Sequence, residues 1–318
     1  MITRRAFITK MSVGLCALAF NLSCKGKEGA GKVRFGIVTD VHQDLQPDAV
    51  RRLQQFIDAA KAWNPDFIIQ LGDLSHGEGL DTIVPVWEQF PGKRYSVLGN
   101  HDMDHATKSV ITNALEMPGN YYSFDCGDLH CVVLDLNHVR KEGALLDYDH
   151  GNYYVDRENR DLITPEEVDW LRTDLAATDK PTVLFSHQGL DDIWSGNSCP
   201  NREEVRAVIH EANRNRQKVI ACFCGHHHVD AYSEIEGVHY FQINSAAYYW
   251  CDYANHYSSG NMIEYKDALY AFVTVDLANG SIQVEGVKSE FLPPAPQPGD
   301  FPNVDKVHPY VSDRQVKM

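Results

Sequence analysis

Five short apolar stretches, scattered over residues 33–228, each run straight into side chains of the kind that bind metal. The junctions are Asp40-Val41-His42, Gly72-Asp73, Gly99-Asn100-His101-Asp102, Ser186-His187 and Gly225-His226-His227-His228. A short apolar run bounded by polar or glycine residues reads as a strand buried on both faces. In open α/β sheets the carboxyl ends of the strands gather at one edge, and ligands bind there. A fold that aligns these strands therefore gathers seven ligand-type side chains, three oxygen donors of the Asp/Asn kind and four imidazoles. Mixed N and O donors suit Mn, Fe, Zn or Co better than Ca. Seven are too many for one tetrahedral zinc, and they suit two divalent ions sharing a bridging carboxylate.

The rest of the pattern supplies the layers. Strands are predicted over 33–39, 66–70, 94–98, 121–126, 129–135, 182–186 and 218–224, then over 230–235, 238–244, 269–276 and 281–287. Val50, Leu53, Phe56, Ile57 and Ala60 recur near a 3.6 period and predict a helix over 47–63. Thr164-Pro165-Glu166-Glu167 carries three helix-start signals, a Thr cap, Pro at the first position and Glu at the third. A further helix is predicted over 202–213. Gly127-Asp128 and Asn279-Gly280 read as hairpin turns. The order, β-α-β-α-β first and mostly β later, predicts an α/β fold in one continuous domain over 33–288. Residues 137–163 form a long polar connection of functional character. Residues 289–318 are Pro-rich and read as a C-terminal tail that packs along the surface or frays.

The motif set D-x-H, GD, GNHD, H and GHxH, present in that order over 40–228, resembles the calcineurin-like metallophosphoesterases. The resemblance implies a layered α/β/β/α sandwich with two central mixed sheets, and a binuclear centre. It implies that Asp40, His42 and His228 hold one ion, that Asn100, His187 and His226 hold the other, and that Asp73 bridges them. His101 would face the substrate as general acid, with Asp102 orienting its ring. His227 reads as structural or as a support to the ligands beside it. Two cations about 3.5–4 Å apart neutralise phosphate oxygens and lower the pKa of a water, so hydroxide is available near neutral pH. No side-chain nucleophile is needed, and no Gly-x-Ser-x-Gly motif is present.

Departures narrow the choice within that family. Purple acid phosphatases carry Tyr three residues after the bridging Asp, where this chain has His76. Protein Ser/Thr phosphatases carry GDxxDRG, against Gly72-Asp73-Leu74-Ser75-His76-Gly77-Glu78 here. Compact single-domain phosphodiesterases fit best, and Gly151-Asn152 with the run from Ile163 to Leu171 looks like theirs. A small phosphodiester is the expected substrate, with a phosphomonoester or a nucleotide diphosphate as alternatives and a non-catalytic metal-binding scaffold as the rival. Substrate selection is expected from 137–163 (Tyr148, His150, Tyr153, Tyr154), from the segment after His187 (Asp192, Trp194), and from Tyr248-Tyr249-Trp250 to Tyr257. Asp147, Asp149 and His150 read as a solvated loop cluster.

The first 24 residues read as an export signal. Arg4, Arg5 and Lys10 precede an apolar run from Met11 to Phe20, shorter than the roughly 18 residues that span a bilayer. Thr3-Arg4-Arg5-Ala6-Phe7-Ile8 resembles a twin-arginine signal, with its usual Lys one place late, so ordinary secretion also stands. Leu22-Ser23-Cys24 resembles a lipoprotein box with Asn21 out of pattern. A lipid anchor on Cys24 and a plain cleaved signal both remain open, and either gives a periplasmic or envelope-anchored protein. Residues 25–32 read as a flexible leader. The chain carries 29 Lys+Arg against 44 Asp+Glu, a net charge of −15, and a surface of that sign repels nucleic acid polymers. Beyond Cys16 and Cys24 the cysteines read as buried free thiols, although Cys126 and Cys131 flank a turn and could pair.

Overall fold

The computed structural model describes residues 23–24, 31–194, 196, 198–251 and 261–318. Most of the expected signal and leader, and Tyr253 and Tyr257, lie outside the described residues.

In chain order the strands are β1 (Ser23–Cys24), β2 (Lys32–Val38), β3 (Phe67–Gln70), β4 (Lys93–Ser96), β5 (Tyr122–Cys126), β6 (Leu129–Val133), β7 (His138–Lys141), β8 (Ala144–Asp147), β9 (Thr182–Phe185) and β10 (Val219–Cys224). There follow β11 (Ala231–Ile235), β12 (Val238–Gln242), β13 (Tyr248–Trp250), β14 (Met262–Glu264), β15 (Ala271–Asp276), β16 (Ser281–Gly286) and β17 (Arg314–Lys317). The helices are α1 (Ala49–Trp63), α2 (Leu80–Trp87), α3 (Lys108–Ala114), α4 (Pro165–Ala177) and α5 (Arg202–Asn213).

Two large mixed sheets form the centre, one ordered β1-β5-β6-β9-β10-β12-β11 and the other β17-β16-β15-β2-β3-β4. Their inner faces share a core that includes Phe35, Phe67, Phe185 and Phe223, with Phe35 stacked on Phe67 at 4.9 Å. On the outer face of the first sheet, Leu171, Leu175, Val205 and Val208 of α4 and α5 pack over Val132, Leu184 and Cys222. On the outer face of the second, Leu53, Phe56 and Ile57 of α1 and Ile83 and Trp87 of α2 cover Val38 and Ile68. The layers are therefore α/β/β/α, as the motifs imply. Each fully buried Leu, Ile or Phe contributes on the order of 1.5–3 kcal/mol, so both outer faces need their helices.

Both sheets have a parallel centre. β2, β3 and β4 run parallel in one, and β6, β9, β10 and β12 in the other. The chain leaves β2 at Asp40, β3 at Asp73, β4 at Asn100, β9 at His187 and β10 at His226, so all five motifs reach one rim.

Several expectations are corrected. Val50 lies on the outer side of α1; the buried stripe is Ala49, Arg52, Leu53, Phe56, Ile57 and Ala60. Arg52 is tolerated there because Asp48 pairs with it at 2.6 Å and the Ala246 and Tyr265 carbonyls accept from its guanidinium. In α4 the Thr164 hydroxyl caps Glu167 N at 3.2 Å, but the Glu167 carboxylate turns inward to accept from Asp135 N at 2.8 Å. Residues 137–163 hold the β7–β8 hairpin and the 3₁₀ turn Arg157–Asn159. Residues 289–318 do not fray: Phe301, Val307 and Val311 are buried, and β17 completes a sheet edge beside β16. α2 and α3 have no counterpart in the sequence reading. Cys126 is disulfide-bonded, whereas Cys131, Cys199, Cys222, Cys224 and Cys251 are free and buried, so the Cys126–Cys131 pairing does not form.

Candidate metal centre

The loops that leave β2, β3 and β10 make unusual turns. Asp40, His42, Asp73, His226 and His228 all have φ between 52° and 69°, in the left-handed region. Short polar side chains visit that region more readily than others, and such strain concentrates at functional sites. The turns are fixed by backbone bonds between loops, His42 N to Asp73 O at 2.9 Å and Gly225 N to His187 O at 3.0 Å. The motif glycines are needed for close approach. A Cβ on Gly99 would stand 2.1 Å from Asp73 N, and one on Gly225 would stand 2.1 Å from Thr39 Oγ1 and 2.5 Å from Asp40 Oδ2.

The seven expected ligand residues converge. Asp40, His42 and His228 form one group and Asp73, His187 and His226 a second. Asp73 Oδ2 lies 3.1 Å from His187 Nε2 and 3.9 Å from His42 Nε2, between the two groups. Asn100 Oδ1 is 3.2 Å from His187 Nε2, and its amide nitrogen donates to the Tyr153 hydroxyl at 3.4 Å, which turns the oxygen inward.

The outward nitrogens of the rings fix which atoms face the centre. His187 Nδ1 donates to the Leu71 carbonyl and His228 Nδ1 to the Tyr248 carbonyl, each at 2.7 Å. His42 Nδ1 lies 3.1 Å from His76 Nε2, and His76 Nδ1 lies 2.9 Å from Asp104 Oδ2. With His76 Nδ1–H donating to Asp104, His76 Nε2 accepts from His42 Nδ1–H. The inner faces then present lone pairs alone. His42 Nε2 and His228 Nε2 stand 3.1 Å apart, and Asp40 Oδ1 is buried 3.1 Å from the same His228 Nε2. Acceptors crowded against acceptors repel unless cations lie between them, so this donor set fits a pair of divalent ions.

The electrostatics agree. Burial holds His42 and His226 well below the usual imidazole range, so both stay neutral ligands. Burial also pushes His187 down, but the Asp73 carboxylate and its hydrogen bond outweigh it and raise the pKa to about 10. A proton there occupies the place a cation takes. Burial opposes ionisation of Asp73, yet His187, His101 and His42 together hold it well below the carboxylate range.

His101 lines the same cleft and is partly exposed, while Asp102 does not orient it. The Asp102 carboxylate accepts from the backbone nitrogens of Gly99 at 2.8 Å, Leu74 at 3.0 Å, and Asp73 and Ser75 at 3.1 Å. It fastens the Asp73 loop to the Asn100 loop, and burial and the Asp73 charge push its pKa up to about 7 against those donors. The ring partner is Asp104, whose Oδ2 accepts from His101 Nδ1 at 2.8 Å. Burial lowers the His101 pKa, but Asp73 and Asp104 raise it above the usual value. The sequence reading missed Asp104, although residues three apart face the same way in a 3₁₀ turn and His101–Met103 is one. It also gave no role to His76.

The centre opens into a cleft of about 740 Å³ whose wall includes Tyr153, Tyr154, Trp194, Tyr248, Tyr249 and Trp250. Tyr148 is buried instead, bonded to Asp161, and Asp192 pairs with Arg202 and Arg206 outside the cleft. Asp147, Asp149 and His150 do not form a joint site: Lys108 Nζ contacts Asp147 at 2.7 Å and Asp135 at 2.6 Å, while His150 contacts Asp149 on the surface. His227 is buried against His226 at 5.2 Å between ring centroids.

Comparison with known proteins bears on the same residues. The profile of the calcineurin-like phosphoesterase family matches residues 33–230. A crystal structure of a dimetal phosphatase from Danio rerio is similar with a TM-score of 0.60 at 15% identity, over 81% of this chain and 98% of that one. GAP50, the anchor in the inner membrane complex of Plasmodium, is similar with a TM-score of 0.54 at 14% identity, over 80% and 84%. Both likenesses are of fold. No curated protein matches in sequence.

Proposed function

The chain belongs to the calcineurin-like phosphoesterase family, a metal-dependent phosphoester hydrolase, and from that premise we propose that it cleaves a small phosphodiester. The observation that carries the reading is the pair of acceptor-only donor groups meeting at Asp73, beside a histidine whose Nδ1 is held by a carboxylate. Asp40, His42 and His228 would hold one divalent ion, Asn100, His187 and His226 the other, and Asp73 would be shared by the two groups. Two cations held there neutralise phosphoryl oxygens and lower the pKa of a nearby water.

The protein's own groups do the rest. Asp104 accepts the hydrogen bond of His101 Nδ1–H and so favours the protonated ring, whose Nε2–H is free to donate to the departing oxygen. Asp73 Oδ1 accepts from His101 N at 2.8 Å and so fixes the acid relative to the bridging carboxylate. The cleft has the size of small-molecule sites, and the net charge of −15 disfavours nucleic acid polymers. We propose export as well: the basic and apolar pattern of residues 1–24 would direct the protein to the periplasm by a plain cleaved signal or, through a lipidated Cys24, to the envelope.

A panel of phosphomonoesters, phosphodiesters and nucleotide diphosphates, assayed with Mn, Fe, Zn and Co, tests the proposal. The highest kcat/KM is expected with a diester. Preference for monoesters overturns the substrate choice, and absence of both turnover and bound metal overturns the whole reading. Cell fractionation with mass analysis of the N-terminus tests export, which an unprocessed cytoplasmic chain overturns.

A further inference from the structure

The donor groups occupy one part of the cleft wall, and a different part carries positive charge. Among the described residues that line it, the basic side chains are Arg157 and Arg160, and no lysine is present. They flank the 3₁₀ turn that follows Tyr153 and Tyr154, and Tyr153 is itself bonded to Asn100 and His101 at the centre. Arg157 Nη1 donates to the Gly196 carbonyl at 2.5 Å, which ties this turn to the Trp194 segment of the wall.

Arg160 is the more telling of the two. Its Nε is buried with no hydrogen-bond partner, and its acid neighbour, Asp161 Oδ2, stays 3.6 Å away. Asp161 Oδ1 accepts from Tyr148 and Gln188 at 2.9 and 3.0 Å, which holds the carboxylate back and leaves its Oδ2 at that longer distance from Arg160. Glu158 is the remaining acid on this stretch of wall, and it forms no ion pair with either arginine among the described residues. In a chain with 44 acids to 29 bases, Arg157 has no carboxylate within ion-pair distance among the described residues and Arg160 has only the 3.6 Å contact with Asp161, so both guanidinium groups have donors to offer an anion in the cleft. A guanidinium fork matches a phosphate, as it does a carboxylate, with two parallel hydrogen bonds.

We propose that Arg157 and Arg160 form a second anion subsite, so that the substrate is a phosphoester carrying a further phosphate group. This inference rests on the proposed function: one phosphoryl group reacts at the donor groups around Asp73, and the second is held by the two guanidinium groups. Tyr154, 64% exposed and stacked on Tyr153, and Trp250, 46% exposed, offer flat faces to the organic part between them.

Metal-loaded protein is assayed with bis(p-nitrophenyl) phosphate while AMP, α,β-methylene-ADP and adenosine 3′,5′-bisphosphate compete, and calorimetry measures the binding of the same three ligands. At least one bisphosphate is expected to bind ten times or more tighter than AMP to the native protein. That preference should fall at least tenfold in Arg160→Ala and in the exposed-site variant Arg157→Ala, with Arg160→Lys intermediate. Equal binding of all three ligands to the native protein, or a preference that survives both alanine variants, overturns the subsite. Absence of hydrolysis of every ester overturns the proposed function instead, and the calorimetric preference still decides the subsite on its own.

Discussion

His101 and Asp104 are joined by a 2.8 Å hydrogen bond from ring Nδ1 to carboxylate Oδ2, across one 3₁₀ turn. The same oxygen lies 2.9 Å from His76 Nδ1, and His76 reaches His42. One carboxylate therefore orients His101, the proposed acid, and, through His76, His42, a candidate ligand of the centre. Asp104→Asn should lower turnover of esters with poor leaving groups about 100-fold or more, in the range of lost general acid catalysis, while p-nitrophenyl esters lose much less. Steady-state kinetics over a leaving-group series reads this, and equal losses across the series would reject Asp104 as the residue acting through His101.

Asp102 has a different duty, and its removal should show it. Asp102→Ala strips the acceptor from four backbone N–H groups, each costing about 1–3 kcal/mol if left buried and unpaired. A clear fall in Tm of the metal-free protein is expected. Thermal unfolding checks it, and an unchanged Tm would contradict the fastening role.

Removal of the bridge should act on metal before chemistry. Asp73→Ala is expected to lose at least one of two bound ions by elemental analysis, and activity falls with it. His101→Ala is expected to keep both ions and lose turnover. Retention of two ions by Asp73→Ala would remove Asp73 from its shared position.

Gly99→Ala tests close approach without touching a ligand atom. Its Cβ would fall 2.2 Å from Asp73 Oδ1, so the carboxylate or the loop must move. Weakened metal binding, read by chelator competition, is expected; native affinity would show that the contact relaxes freely.

His130 gives a pH test far from the centre. Its Nδ1 meets Asp125 at 2.7 Å and its Nε2 meets Asp174 at 2.9 Å. Burial lowers its pKa, but Asp174 and then Asp125 raise it above 6.5. A raised folded-state pKa stabilises fully below the unfolded value and loses that contribution as pH rises through the folded one. Native Tm should therefore drop between pH 6 and pH 9 by more than that of His130→Asn, as calorimetry at both pH values would show; parallel curves would contradict the shift.

The strand ends were readable because each buried strand is a short apolar run that stops at a polar or glycine residue, with the candidate ligand at or just after that stop. α4 was readable from Thr164 and Pro165, which act locally. α2 was not, since it has Pro85 inside and no side-chain cap. Asp104 was not legible because it meets His101 only through the 3₁₀ turn, whereas Asp102 is its neighbour in sequence, and adjacency in such a turn points two side chains in different directions.

The amino-acid sequence alone determined the α/β layering and the seven donors, because periodicity and motif order are properties of the chain read along its length. Tertiary structure decided the left-handed turns that aim those donors, the carboxylate that holds His101, and the arrival of Arg157 and Arg160 at the cleft. Those depend on distances between loops brought together from separate strands and connections, and no local pattern encodes such distances.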